Sequence, residues 1–182
     1  MHRKQTLRLR SGQAGFTLIE LLVVIAIIGL LSTLAVVALT SARAKARDAK
    51  RIADVKQTQT SLELHFADKG GKYPAGTNLS VGTATNATLC SGGFKASAAD
   101  CGADSTTFMA KVPRDPSAPL ATPASCVTNA VVGCDYAYTA ETNDTTYKLQ
   151  FYLEGAIGEL AKGSNCATQD GMKSGVCTLV AP

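Results

Sequence analysis

The sequence predicts an α+β fold, in which one long N-terminal α-helix packs on a small antiparallel β-sheet. Three observations carry this expectation. From Thr40 to Lys69 neither glycine nor proline interrupts a stretch that directly continues an apolar run. In "TYKLQFYLE" the period changes to two, with Tyr147, Leu149, Phe151 and Leu153 pointing one way and Lys148, Gln150, Tyr152 and Glu154 the other. All six cysteines, Cys90, Cys101, Cys126, Cys134, Cys166 and Cys177, fall beyond the long run, an even count that suits disulfides in an oxidising compartment.

The 182 residues suit one modest domain with an appendage. Residues 1–15 are basic and polar, and Arg3, Lys4, Arg8 and Arg10 hold the whole charge excess; beyond residue 15 the count is 14 basic to 14 acidic. No broad cationic surface remains as a nucleic-acid footprint. From Leu21 to Leu39 only Ser32 and Thr33 are polar. That run makes a helix of about 28 Å, close to the hydrocarbon thickness of a bilayer. It is longer than the apolar stretch of an ordinary secretory signal and flows on without proline, so retention is expected; the alternative is a cut near Leu39–Ala42.

The second half of the helix, residues 40–69, is expected to bury a stripe of Ala42, Ala46, Ala49, Ile52, Val55, Leu62 and Phe66. Arg47, Lys50, Arg51, Asp54 and Lys56 would form the solvated face. Gly70 and Gly71 supply the stop and Pro74 prevents continuation, giving one helix from Phe16 to Asp68, on the order of 80 Å long. The head, residues 70–182, begins with a Gly/Ala/Ser/Thr-rich stretch (75–104) that reads as a long loop. A short helix is expected at Thr106–Lys111, a turn in "PRDPSAP", and strands in "DYAYT" (Asp135–Thr139), "TYKLQFYLE" and "GVCTLV" (Gly175–Val180). Short loops favour the pairing Cys90–Cys101, Cys126–Cys134 and Cys166–Cys177; without a C-x-x-C spacing, and with His65 the only histidine after residue 15, a metal site is not expected.

Glu20 is the one carboxylate at the head of the apolar run. Thr17-x-x-Glu20 has the spacing of a capping box, and a carboxylate in a first helical turn suits the helix dipole. Capping explains why the residue is tolerated, but not the Gly-Phe before it or the basic leader.

"GFTLIE" after a short basic leader resembles the prepilin signature of type IV pilins and type II secretion pseudopilins. The resemblance implies that residues 1–15 are a prepilin leader, cut between Gly15 and Phe16 by a prepilin peptidase that also methylates the Phe16 amine. It also implies a single-pass protein of the cytoplasmic membrane, leader inside and head outside, that later joins a periplasmic or extracellular filament as a homo-oligomer. Glu20 would then pair with the Phe16 ammonium of a neighbour, and an assembly platform and minor pilins would be further partners. "GKYP" (Gly71–Pro74) is similar to the end of the pilin helix, and "KVPRDP" (Lys111–Pro116) to a turn of major pseudopilins. Three departures stand out: Val37 replaces a frequent proline, six cysteines exceed the usual pair, and "GSNCATQDGM" offers only Ser164, Asn165 and Asp170 where an acidic calcium-binding ending is expected. No cofactor is implied.

Other functions are weaker readings. His65 sits beside Phe66 on a helix, no nucleophile motif of the G-x-S-x-G or S-x-x-K kind occurs, and Asp100, Asp104, Asp115, Asp135, Glu154 and Glu159 are scattered. An enzyme is therefore not expected. A non-polymerising anchored module could bind through Tyr136, Tyr138, Tyr147 and Tyr152, which read rather as core or sheet-face residues. A minor tip subunit is a further alternative, disfavoured by the presence of Glu20. The sequons at Asn78, Asn86 and Asn143 are weak glycosylation candidates.

Overall fold

A computed structural model describes residues 15–118, 125–126, 133–141 and 143–176. The contacts divide the chain into two compact units, Met1–Ser41 and Ala42–Pro182. One helix, α1 (Leu18–Asp68), begins in the first and ends in the second. In the first unit every residue from Gly15 to Ser41 is exposed, and the helix is long and apolar enough to cross a membrane.

In the second unit α1 supplies one side of a core against two antiparallel sheets. The larger contains β1 (Leu79–Ser80), β5 (Ala137–Ala140), β6 (Tyr147–Leu153), β7 (Gly163–Thr168) and β8 (Gly171–Ser174), in that spatial order. The smaller contains β2 (Thr88–Cys90), β3 (Gly93–Lys95) and β4 (Thr107–Met109), ordered β3-β2-β4. On β6 the alternation places Tyr147, Leu149, Phe151 and Leu153 in the core with Val55 and Leu62 of α1 and with Tyr136 and Tyr138. Gln150, on the opposite face, is also buried. On the same side Tyr152 packs against Cys126, Cys134 and Ala137.

Four sequence expectations are corrected. Residues 75–104 are not a loop but hold β1, β2, β3 and a 3-10 turn (Ala98–Cys101). Thr106–Lys111 is not a helix: Thr107–Met109 pairs as β4 with Leu89 and Cys90, and β-branched threonines favour the extended form. "GVCTLV" does not begin a strand, since Gly175 and Val176 follow the end of β8; Cys177–Val180 lie outside the described residues. "GSNCATQDGM" is the β7–β8 hairpin, with Asn165 buried and its Nδ2 donating to the carbonyls of Ala161 (2.8 Å) and Gly163 (2.9 Å).

The fourth correction concerns the buried face of α1. Ala42, Ala46 and Ala49 are exposed, whereas Asp48, Arg51, Asp54, Val55, Thr58, Ser61, Leu62 and His65 are buried. An alanine contributes little apolar area, so it does not compel burial. A guanidinium with several fixed acceptors does compete for the inner face. The helix is turned to bury Arg51 and Asp54, both expected on the solvated side.

Candidate processing and assembly site

Gly15, Phe16 and Thr17 precede the first helical residue and are exposed, Phe16 to 90%. Among the described residues a side chain added at Gly15 would meet nothing within 4 Å, so packing against them does not require glycine there. The Glu20 carboxylate folds back over the helix start. Its Oε2 accepts from the Thr17 N–H at 2.8 Å and the Thr17 hydroxyl at 2.9 Å, and the Glu20 N–H reaches Thr17 Oγ1 at 3.3 Å. These reciprocal bonds form a capping box. An ionised carboxylate has about four acceptor positions, and Oε1 carries no bond within the chain among the described residues. The Gly15–Phe16 bond therefore lies in exposed, non-helical backbone, and a carboxylate with spare acceptor capacity follows at Glu20.

A second charged cluster lies wholly within the unit Ala42–Pro182, and little in the sequence signals it. Arg51 is fully buried and uses all five of its N–H donors. Nε and Nη2 form a fork on Asp115 at 2.6 and 3.1 Å, Nη2 also reaches Ser117 Oγ at 2.9 Å, and Nη1 reaches Asp48 and Glu154 at 2.7 Å each. Asp48 in turn accepts from the backbone N–H groups of Glu154 (2.9 Å) and Gly155 (2.8 Å). Arg47 makes a second fork on Glu154, at 2.7 and 2.5 Å. The cluster joins α1, the turn after Pro113 and the end of β6.

Burial opposes the charge on Arg51, but the hydrogen bonds of Asp115 and Glu154 outweigh it and raise its pKa. The Arg47 fork, with burial opposing and Arg51 assisting, holds the Glu154 carboxyl down to about 2. Asp115 and Glu154, scattered in sequence, thus meet in space, while Asp135 pairs with Arg114 at 2.5 Å. Asp100, Asp104 and Glu159 remain exposed and outside this cluster. The "KVPRDP" turn is seated on Gly82, whose φ of 76° suits glycine and where a Cβ would strike the Pro113 carbonyl.

His65 is buried, with Nδ1 3.0 Å from the Lys72 carbonyl and its ring edge-on to Phe108. Burial lowers its pKa. Tyr136, Tyr138 and Tyr147 are fully buried, and Tyr152 is half-buried. Cys90 is bridged to Cys101 (Cα–Cα 6.1 Å) and Cys126 to Cys134 (5.0 Å). Cys166 is also disulfide-bonded, and Cys177 lies outside the described residues. Among the described residues no group of three or more His, Cys, Asp or Glu side chains is arranged to hold a metal ion.

Residues 10–36 match the prokaryotic N-terminal methylation motif. The N-terminus is therefore of the prepilin type, and the long helix on antiparallel sheets is a pilin-like fold. The chain is similar to the type II secretion system core protein G of Klebsiella michiganensis and to that of Aeromonas hydrophila. Each is 37% identical over 65 residues, covering 36% of this chain and 45% of the relative. A third relative, from Pectobacterium carotovorum subsp. carotovorum, bears the same name and is 36% identical over 63 residues, covering 35% of this chain and 40% of its own. The matches thus span less than half the length of these relatives. No solved structure gives a significant match.

Proposed function

We propose that this protein is a structural subunit of a type II secretion pseudopilus, anchored in the cytoplasmic membrane before assembly and polymerising through α1. The observation that carries the reading is the position of the methylation motif. It begins an apolar helical segment whose residues are all exposed as far as Ser41, with Glu20 as the only acid between Met1 and Leu39. The similarity to proteins named type II secretion system core protein G supports a secretion pseudopilus over an extended pilus.

The chemistry follows from the site. Cleavage after Gly15 frees an ammonium at Phe16, and methylation leaves it charged. Since packing against the described residues does not require glycine at 15, the requirement is ascribed to the peptidase that receives the exposed segment. In a bundle of α1 helices the Phe16 ammonium of one subunit meets Glu20 of its neighbour. A wrong register leaves one charge buried and unpaired, at a cost of about 3–5 kcal/mol, so the pair fixes the axial step while the apolar side chains supply cohesion. The head then has a structural role and is not a catalyst.

Glu20→Ala tests this reading. The variant is expected to be processed and membrane-inserted but absent from filaments sheared from cells, whereas Glu20→Asp retains partial assembly. Filaments of Glu20→Ala at the wild-type level would refute the pairing.

A further inference from the structure

Between Leu21 and Ala53 the only acid is Asp48, and the head removes it from the surface. It is 1% exposed and held by Arg51 and two backbone N–H groups. Of the five cations from residue 43 to 51, Arg47 and Arg51 are turned toward Glu154 and Asp115. Arg43, Lys45 and Lys50 remain exposed and form no ion pair among the described residues. Folding of the head therefore converts a mixed-charge segment into a purely cationic surface just beyond the apolar run.

The three are not equivalent. Along α1, Arg43 lies about 6 Å and Lys45 about 9 Å beyond Leu39, while Lys50 lies about 16 Å beyond it. A head-group layer adds roughly 5–7 Å to each side of the hydrocarbon, and exposed charges are screened over about 8 Å at physiological salt. Arg43 and Lys45 fall within that reach. Lys50 falls outside it. Arg43 and Lys45 are about 200° apart around the helix, so they face separate lipids and form a collar rather than one binding face.

We infer that Arg43 and Lys45 form a collar that binds the phosphates of anionic phospholipids in the leaflet on the head's side, retaining such lipids around the anchored subunit until it leaves the bilayer. Basic residues beside a membrane span attract anionic head groups in this way. The inference rests on the membrane-anchored stage of the proposed function. The structure adds the selection of cations: Arg47 and Arg51 are withheld by the head, although the sequence places all five together.

The test uses the full chain as isolated from membranes, reconstituted in phosphatidylcholine bilayers with spin-labelled phosphatidylglycerol or phosphatidylcholine. Electron paramagnetic resonance reads the motionally restricted lipid around the protein. The expected result is at least a twofold preference for phosphatidylglycerol that falls in 0.5 M salt. Arg43→Gln/Lys45→Gln should lose at least half of it, the charge-conserving Arg43→Lys/Lys45→Arg should keep it, and Lys50→Gln should change it little. Any leader contribution is common to all variants and cancels in the comparison. Restricted lipid without a preference in the wild type, or an unchanged preference in Arg43→Gln/Lys45→Gln, overturns the collar alone. The absence of restricted lipid of either kind overturns both the collar and the membrane anchoring on which it rests.

Discussion

Replacing Arg51 with methionine keeps much of the side-chain volume but removes a charge and five N–H donors from a site with no solvent access. Asp48 would keep the backbone N–H groups of Glu154 and Gly155, and Glu154 would keep Arg47. Among the described residues Asp115 would keep only the Ser117 N–H at 2.7 Å, with its side chain fully buried. Breaking a buried pair from one side costs about 3–5 kcal/mol, against a total stability of about 5–15 kcal/mol for a domain. The melting temperature of the head should therefore fall by on the order of 10 °C. Thermal melts of the detergent-solubilised chain, followed by near-ultraviolet circular dichroism, report the head through its buried tyrosines, since the chain has no tryptophan. Adding Asp115→Asn to Arg51→Met removes the orphaned charge and should recover part of the loss. A loss below about 1 kcal/mol in the single variant, or no recovery in the double variant, would refute a buried ionic cluster that is costly to break.

Acid should weaken the same cluster. The Arg47 fork holds the folded Glu154 carboxyl down to about 2, below its ordinary 4.5, so the stability it contributes is present above pH 5 and is lost as the pH falls toward 2. His65, whose pKa burial lowers, adds a loss below its ordinary 6.5, whereas Asp54, raised by burial, acts in the opposite sense. Glu154→Gln should flatten the pH dependence of the urea midpoint between pH 5 and 3. Gly82→Ala should cost about 1–3 kcal/mol, because it forces a side chain into positive φ and against the Pro113 carbonyl; its melting temperature reads the loss directly. Removing the Cys126–Cys134 bridge with two serines opens a short loop and should cost about 2–3 kcal/mol in the same melt.

The parts legible in the sequence were those where one local rule suffices. The long helix followed from an unbroken run, and β6 from strict alternation of Tyr147, Leu149, Phe151 and Leu153. The Thr17–Glu20 capping box followed from a three-residue spacing. The parts that were not legible depend on residues far apart in the chain. Strands β1 to β4 are only two or three residues long, and β2 and β4 are defined by pairing between Leu89 and Met109 rather than by pattern. The buried face of α1 was legible in part: Val55 and Leu62 are buried and Ile52 and Phe66 pack against the core as the stripe predicts, but alanine spacing drew in Ala42, Ala46 and Ala49, which are exposed. The actual orientation is set by Arg51, whose partners Asp115 and Glu154 lie 64 and 103 residues away. The only local hint was Asp48, three residues before Arg51.

The most direct test of the account is the intact mass and N-terminal sequence of the protein recovered from membranes. A chain beginning at N-methylated Phe16 is the predicted result, since it places the new ammonium one helical turn from Glu20. A chain that retains Met1, or that begins after Ala42, would contradict the account, because neither form has the charged Phe16 terminus that the proposed assembly requires.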